Sequence, residues 1–300
     1  MRWVSQASAL SFWTLLCLSA GVKSFGQDEV QIVGKDVPYV SNGHERQVLD
    51  VYSPMDSDGG GRPVFIWIHG GGWVVGDKSA VDRKPQVLTE QGYVFVAMNY
   101  RLLPEVSMEE LTSDVAKAVG WVTKNAEQYG GDPSRLVLAG HSAGAQLAAL
   151  LCTDERYLAE EGVSLRSVRG CVPVDGDTYD IPKIILTAEH RQAVYGWDMP
   201  TFGHRQKFGN DPQKHVNFSA VNHISKGKSI PPFLILYFRG NPETLAQANR
   251  LSEVLGQAGI KHEVVGKTET NHRQLNRELG KDDDVPTEKF LRFLDSVFDS

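Results

Sequence analysis

Arg135-Leu136-Val137-Leu138-Ala139-Gly140-His141-Ser142-Ala143-Gly144 is an apolar run that stops on a serine set between glycines. The G-x-S-x-G spacing puts a serine on a tight strand-to-helix turn with its hydroxyl exposed, and the small residues at 140, 143 and 144 relieve crowding there. Upstream, His69-Gly70-Gly71-Gly72-Trp73 follows a second apolar run, Pro63 to Ile68. Three glycines let backbone N–H groups approach a substrate with no side chain in the way. A nucleophile and an anion cradle are what acyl transfer needs. G-x-S-x-G alone arises easily by accident, but behind the glycine triplet, and between a strand pattern and a helix pattern, it is specific.

Working outward, apolar runs recur at α/β spacing: Tyr93 to Met98, Val168 to Val174, Phe233 to Phe238 and His262 to Val265 join the two above. Near-continuous Val, Ile, Leu and Phe without polar alternation is the mark of strands covered on both faces, so the expected fold is α/β with a mainly parallel, doubly wound sheet. Helical stripes lie between them. The clearest runs from Met108 to about Gln128, with Leu111, Val115, Val119, Val122 and Ala126 on one face and a Ser107/Glu110 capping box at its start. Others start at Ala143 and span Thr244–Leu255 and Thr287–Phe298. From Tyr179 to about Lys228 no strand pattern occurs, and His190, Trp197, Phe202, His204, Phe208, His215 and His223 are scattered through the stretch. It reads as an insertion, residues 179–228, that covers the mouth of the site as a lid or pocket wall.

The 300 residues suit one α/β domain over 27–300. Residues 1–26 read as a signal peptide: Arg2, an apolar run from Ala9 to Val22 too short to span a bilayer, then small residues at 24 and 26. A secreted or periplasmic chain without a membrane span is therefore expected. Removing Arg2 and Lys23 leaves 31 − 2 = 29 basic residues against 37 acidic ones, a charge of −8 and no footprint for nucleic acid. Cys152 and Cys171 read as buried thiols. No cysteine spacing, H-E-x-x-H or phosphate loop suggests a metal or cofactor, and Asp282-Asp283-Asp284 reads as a solvated turn.

The expected nucleophile is Ser142, with the backbone N–H groups of Ala143, Gly71 and Gly72 as oxyanion donors. From residue 45 onward, through Leu49 to Pro54, His69 to Trp73, Asn99 to Leu102, Gly131 to Pro133 and Gly140 to Gly144, the chain resembles α/β-hydrolases of the esterase/lipase type. It is most similar to secreted bacterial carboxylesterases related to feruloyl and acetyl-xylan esterases. The resemblance implies a serine esterase that works through an acyl-enzyme without cofactor, on small-molecule or polysaccharide-linked esters. Formamidases share the glycine loop, which makes amide hydrolysis the alternative, and a degenerate hydrolase that only binds a ligand is the other.

In this fold the base follows the last strand, and His272 alone stands between that strand and the final helix. It is the expected general base, then acid. The orienting carboxylate of relatives lies just past the strand that here ends at Phe238, yet the loop reads Arg239-Gly240-Asn241-Pro242-Glu243. Glu243, its only carboxylate, is taken as the third member, with Asp175 or Asp177 after the preceding strand as substitutes.

Overall fold

The computed structural model describes residues 1, 30–54, 60–196 and 204–298. Residues 2–26 of the expected leader, Trp197 and Phe202 lie outside them. Among the described residues eight strands form one sheet: β1 (Ile32–Pro38), β2 (Val48–Tyr52), β3 (Arg62–Ile68), β4 (Val94–Met98), β5 (Gly131–His141), β6 (Val168–Val174), β7 (Phe233–Phe238) and β8 (His262–Lys267). Their order is β1-β2-β4-β3-β5-β6-β7-β8. β1 and β2 pair antiparallel, and every pairing from β4 to β8 is parallel. Among the described residues ten α-helices connect and flank the strands: α1 (Lys84–Glu90), α2 (Met108–Asn125), α3 (Ala143–Thr153), α4 (Glu155–Glu160), α5 (Ile181–Tyr195), α6 (His204–Phe208), α7 (Pro212–Asn217), α8 (Pro242–Gln257), α9 (His272–Glu278) and α10 (Val285–Phe298).

Alternation along the strands explains the two cores. In β3, Val64, Ile66 and Ile68 point to one face, where Leu111, Val115 and Val119 of α2 and Leu147, Leu150 and Leu151 of α3 cover them. Phe65 and Trp67 point to the other, under Leu88 of α1 and Phe290 and Leu294 of α10. Each such side chain contributes about 1.5–3 kcal/mol of transfer free energy, so a strand buried on both faces has no polar positions to alternate with. α2 begins as expected: Ser107 Oγ accepts from Glu110 N, and Glu110 Oε2 accepts from Ser107 N at 2.8 Å. It gives way to a 3₁₀ turn, Ala126–Tyr129, that ends on Gly130 at φ 80°.

The insertion holds α5, α6 and α7 and no strand among its described residues. Cys152 and Cys171 are buried free thiols. Asp284 departs from the solvated-turn reading. It is buried, accepts from Thr287 N at 3.1 Å at the start of α10 and pairs with Lys267 at 2.6 Å. No group of His, Cys, Asp or Glu among the described residues is arranged to hold a metal ion.

Candidate active site

Ser142 stands between β5 and α3 at φ 56°, ψ −119°, a backbone conformation that costs a non-glycine residue about 1–3 kcal/mol. The surroundings hold it there: Ser142 N donates to Val174 O at 2.9 Å, and Ala145 N donates to Ser142 O at 2.9 Å. The flanking glycines are a steric necessity. A Cβ on Gly140 would stand 2.4 Å from Gly144 O, and one on Gly144 would stand 2.1 Å from Ile68 O. Backbone meets backbone in both places, so neither neighbour can rotate away. Gly144→Ala is therefore expected to lower stability by more than about 3 kcal/mol, read as a thermal midpoint at least several degrees down or as loss of soluble protein. A wild-type melting curve for that variant would show that β3 and α3 are less closely apposed than the structure has them.

The glycine loop lies against this elbow. A Cβ on Gly70 would meet Ser142 Cβ at 3.1 Å. Gly71 and Gly72 have φ 122° and 59°, and a Cβ on Gly71 would overlap Val75 O at 2.0 Å. Val74 N and Val75 N both donate to Gly71 O, closing the turn. Trp73 anchors its far end: Nε1 donates to Gln146 Oε1 at 3.2 Å, and Gln146 Nε2 donates to Phe218 O at 2.9 Å. The near end rests on His69, whose ring stacks on Tyr100 at 4.3 Å. His69 Nδ1 donates to Gly70 O at 2.7 Å and its Nε2 receives Arg46 Nη2 at 3.3 Å, so both ring nitrogens are used with the imidazole neutral.

His272 opens α9. Asn271 caps that helix by accepting from Gln274 N at 2.9 Å. At the other end of α9, the buried Lys84 donates to Asn276 O at 2.8 Å from a position 4.6 Å over the Trp67 ring. Burial lowers this lysine to about 8. The helix start brings His272 to the elbow: its ring lies 4.4 Å from that of His141, and His141 Nε2 donates to His272 O at 2.9 Å.

His272 Nδ1 lies 2.7 Å from Asp175 Oδ2. Asp175, at the end of β6, is fully buried, and its Oδ1 accepts from Phe238 N at 2.7 Å. With the carboxylate ionised, the Nδ1 proton is held there and Nε2 keeps its lone pair. Glu243 is not the carboxylate on this histidine. It sits in the first turn of α8 and forms an ion pair with Arg191 of α5. Asn241, at the position where an acid was sought, caps α8 by accepting from Glu243 N at 2.9 Å. Asp177 accepts from Thr178 Oγ1 at 2.6 Å instead. The acid has moved one strand over. β6 and β7 are neighbours, and Asp175 N donates to Leu236 O at 2.8 Å, so the ends of both strands open on the same place.

Three of the insertion histidines have structural partners. His204 is buried against Trp73 and Thr178, His215 Nε2 donates to Gly209 O at 2.7 Å, and His223 Nε2 donates to Asn217 O at 2.8 Å.

Burial sets the proton affinity of the two motif histidines. It lowers His69 to about 4, and burial together with the neighbouring His272 lowers His141 to about 3. An unfolded chain would bind a proton at each from pH 6.5 downward, while the folded chain does not until pH 4 or 3. Stability is therefore complete above pH 6.5 and falls as pH drops through that window, by about 2 kcal/mol per histidine at pH 5. Thermal unfolding at pH 7, 6 and 5 is expected to give a midpoint that declines at each step. A midpoint that holds from pH 7 to 5 would contradict the burial of these rings.

A family model described as BD-FAE matches residues 49–255. The esterase LipQ of Mycobacterium tuberculosis is 30% identical over 235 residues, 75% of this chain and 53% of that one. Isoprenylcysteine alpha-carbonyl methylesterase ICME of Arabidopsis thaliana is 25% identical over 286 residues, 90% of this chain and 64% of that one. The chain spans between about a fifth and two thirds of the length of the curated relatives it matches. Among solved structures, Esterase B of Lactobacillus rhamnosis superposes with TM-score 0.71 at 21% identity, covering 90% of this chain and 86% of that one. A carbohydrate esterase from gut microbiota gives 0.70 at 20% identity, covering 92% and 99%. These likenesses show the α/β-hydrolase fold.

Proposed function

We propose, because this chain belongs to the BD-FAE family and pairs a strained serine elbow with an Asp175-held histidine, that it is a serine hydrolase cleaving carboxylic esters through an acyl-enzyme. The observation that carries the reading is the 2.7 Å contact from Asp175 to His272 Nδ1, on a histidine packed beside the elbow of Ser142.

In this mechanism Ser142 Oγ attacks the ester carbonyl while its proton passes to His272 Nε2. The carbonyl electron pair moves to oxygen, where the N–H groups of Gly71, Gly72 and Ala143 receive the charge. Asp175 stabilises the imidazolium and stays ionised. Collapse expels the alcohol, which takes the proton from His272 and leaves an ester on Ser142. A water molecule, deprotonated by His272, then attacks that ester. The acid departs and Ser142 recovers its proton.

The test is a paired assay. Purified protein is expected to turn over p-nitrophenyl acetate and to be modified at Ser142 by a fluorophosphonate, located by peptide mass spectrometry. The absence of both turnover and modification would reject ester hydrolysis.

Two finer readings belong to the same proposal. Substrates are small-molecule or polysaccharide-linked esters; the likeness to a carbohydrate esterase supports the second class. The chain is exported, secreted or periplasmic, with residues 1–26 removed; Arg2, the apolar run from Ala9 to Val22 and the small residues at 24 and 26 support this, and N-terminal sequencing of the exported protein tests it. No helix among the described residues is long and apolar enough to cross a membrane.

A further inference from the structure

α6 docks on the glycine loop through two buried side chains. Phe208 lies 5.2 Å from the Trp73 ring and His204 lies 6.1 Å from it, both edge-on. Lys207, between them, reaches back over the same loop. Its Nζ stands 5.2 Å from the Trp73 ring centroid and 3.3 Å from the place where a Cβ on Gly72 would be. The lid thus sets a cation directly on the proposed anion cradle.

Among the described residues that cation has no hydrogen-bond acceptor. Among the described residues Lys207 makes no hydrogen bond and no ion pair, although its neighbour Arg205 pairs with Glu189. The carboxylate whose field reaches it is Asp177, and Asp177 Oδ1 is engaged by Thr178 Oγ1 at 2.6 Å. Trp73 offers a ring face, which attracts an ammonium and accepts no conventional hydrogen bond from it. Burial pushes Lys207 down from the ordinary lysine value. A half-buried ammonium on the glycine loop, with no protein acceptor among the described residues, leaves its N–H donors to a ligand whose charge competes with water for them. A single ammonium matches a carboxylate as a point charge, and this one stands where a side chain on Gly72 would point.

We propose that Lys207 is a specificity-determining residue for esters that carry a free carboxylate close to the scissile bond, which its ammonium binds by charge-assisted hydrogen bonds. This rests on the esterase reading above, and the experiment separates the two.

Lys207→Met keeps the stem against Trp73 and removes the charge, Lys207→Gln is a second neutral variant should the first fail to fold, and Lys207→Arg restores charge. Hydrolysis is followed by pH-stat on ethyl pentanoate, on monoethyl glutarate with the carboxylate in the acyl part, and on carboxymethyl pentanoate with it in the alcohol part. The ratio of kcat/KM for a charged ester to that for ethyl pentanoate is expected to fall about 30-fold or more in the neutral variants and to recover in Lys207→Arg. A fall in one charged ester only identifies the side on which the carboxylate sits and supports the assignment. An unchanged ratio with both charged esters overturns it, including the case where Lys207→Met slows all three esters equally, which is the result of a charge acting on the oxyanion. If the wild-type chain hydrolyses none of the three and also fails on p-nitrophenyl acetate and fluorophosphonate labelling, the esterase reading fails. Calorimetric binding of monoethyl glutarate then decides Lys207, being weakened tenfold or more by Lys207→Met if the assignment holds and unaffected if it does not.

Discussion

Ser142→Ala is expected to lower kcat/KM on p-nitrophenyl acetate at least ten-thousand-fold and to abolish fluorophosphonate labelling. Without the hydroxyl no acyl-enzyme forms, and the glycine amides and bound-state positioning can assist only the attack of water. The backbone argument sharpens this result. Alanine at φ 56° is as strained as serine, so the variant keeps its fold, and any loss of rate is chemical. Ser142→Gly removes the strain as well as the nucleophile. Its stability is expected to rise by about 1 kcal/mol, the relief of roughly 1–3 kcal/mol being offset by the larger entropy of an unfolded glycine. A variant that is more stable and inactive, beside one that is inactive with unchanged stability, shows strain kept for a purpose. Substantial residual turnover in Ser142→Ala would remove the serine from the chemistry altogether.

How much of this was legible in the sequence depends on how strongly local pattern constrains each part. The parallel strands β3 to β7 were readable because burial on both faces leaves a continuous apolar run in each, with the polar residues confined to the strand ends. β1 escaped notice for the converse reason: an edge strand exposed along most of its length, with Lys35 and Asp36 in its middle, has no apolar run. In β2, Asp50 interrupts the apolar pattern, and only tertiary structure shows that it is buried against Lys78 at 2.7 Å and accepts from Asp36 N at 2.8 Å. The two glycine motifs carried Ser142 and the loop, since backbone contacts at Gly71, Gly140 and Gly144 and the positive φ of Gly72 leave little room for another residue. Lys207 carried no signal: a lysine in an aromatic-rich insertion looks like a solvated residue until α6 is folded back on Trp73.

The misplaced acid is the most instructive case, because the expectation came from where relatives carry it. Glu243, in the first turn of α8, is the only carboxylate just past β7. Parallel neighbours nevertheless deliver their C-terminal ends to one edge, so a carboxylate after β6 reaches the same imidazole as one after β7. What sequence spacing could not show is that Asn241 is occupied as a helix cap and Glu243 by Arg191.

Asp175→Asn should therefore reduce kcat on p-nitrophenyl acetate by about ten-thousand-fold with KM nearly unchanged, while Glu243→Gln should stay within about fivefold of wild type. The geometry leaves the amide no good orientation. If its oxygen keeps the hydrogen bond from Phe238 N, its NH₂ faces His272 Nδ1, favours the tautomer protonated on Nε2 and leaves no lone pair to take the serine proton. If the amide turns over, Phe238 N loses its acceptor in a buried place, which costs about 1–3 kcal/mol of stability. Glu243→Gln removes only a partly exposed ion pair with Arg191, a change worth about 1 kcal/mol or less. The two variants separate cleanly on kcat. A large loss in Glu243→Gln with wild-type turnover in Asp175→Asn would return the role to the α8 loop and require His272 to be held in another orientation.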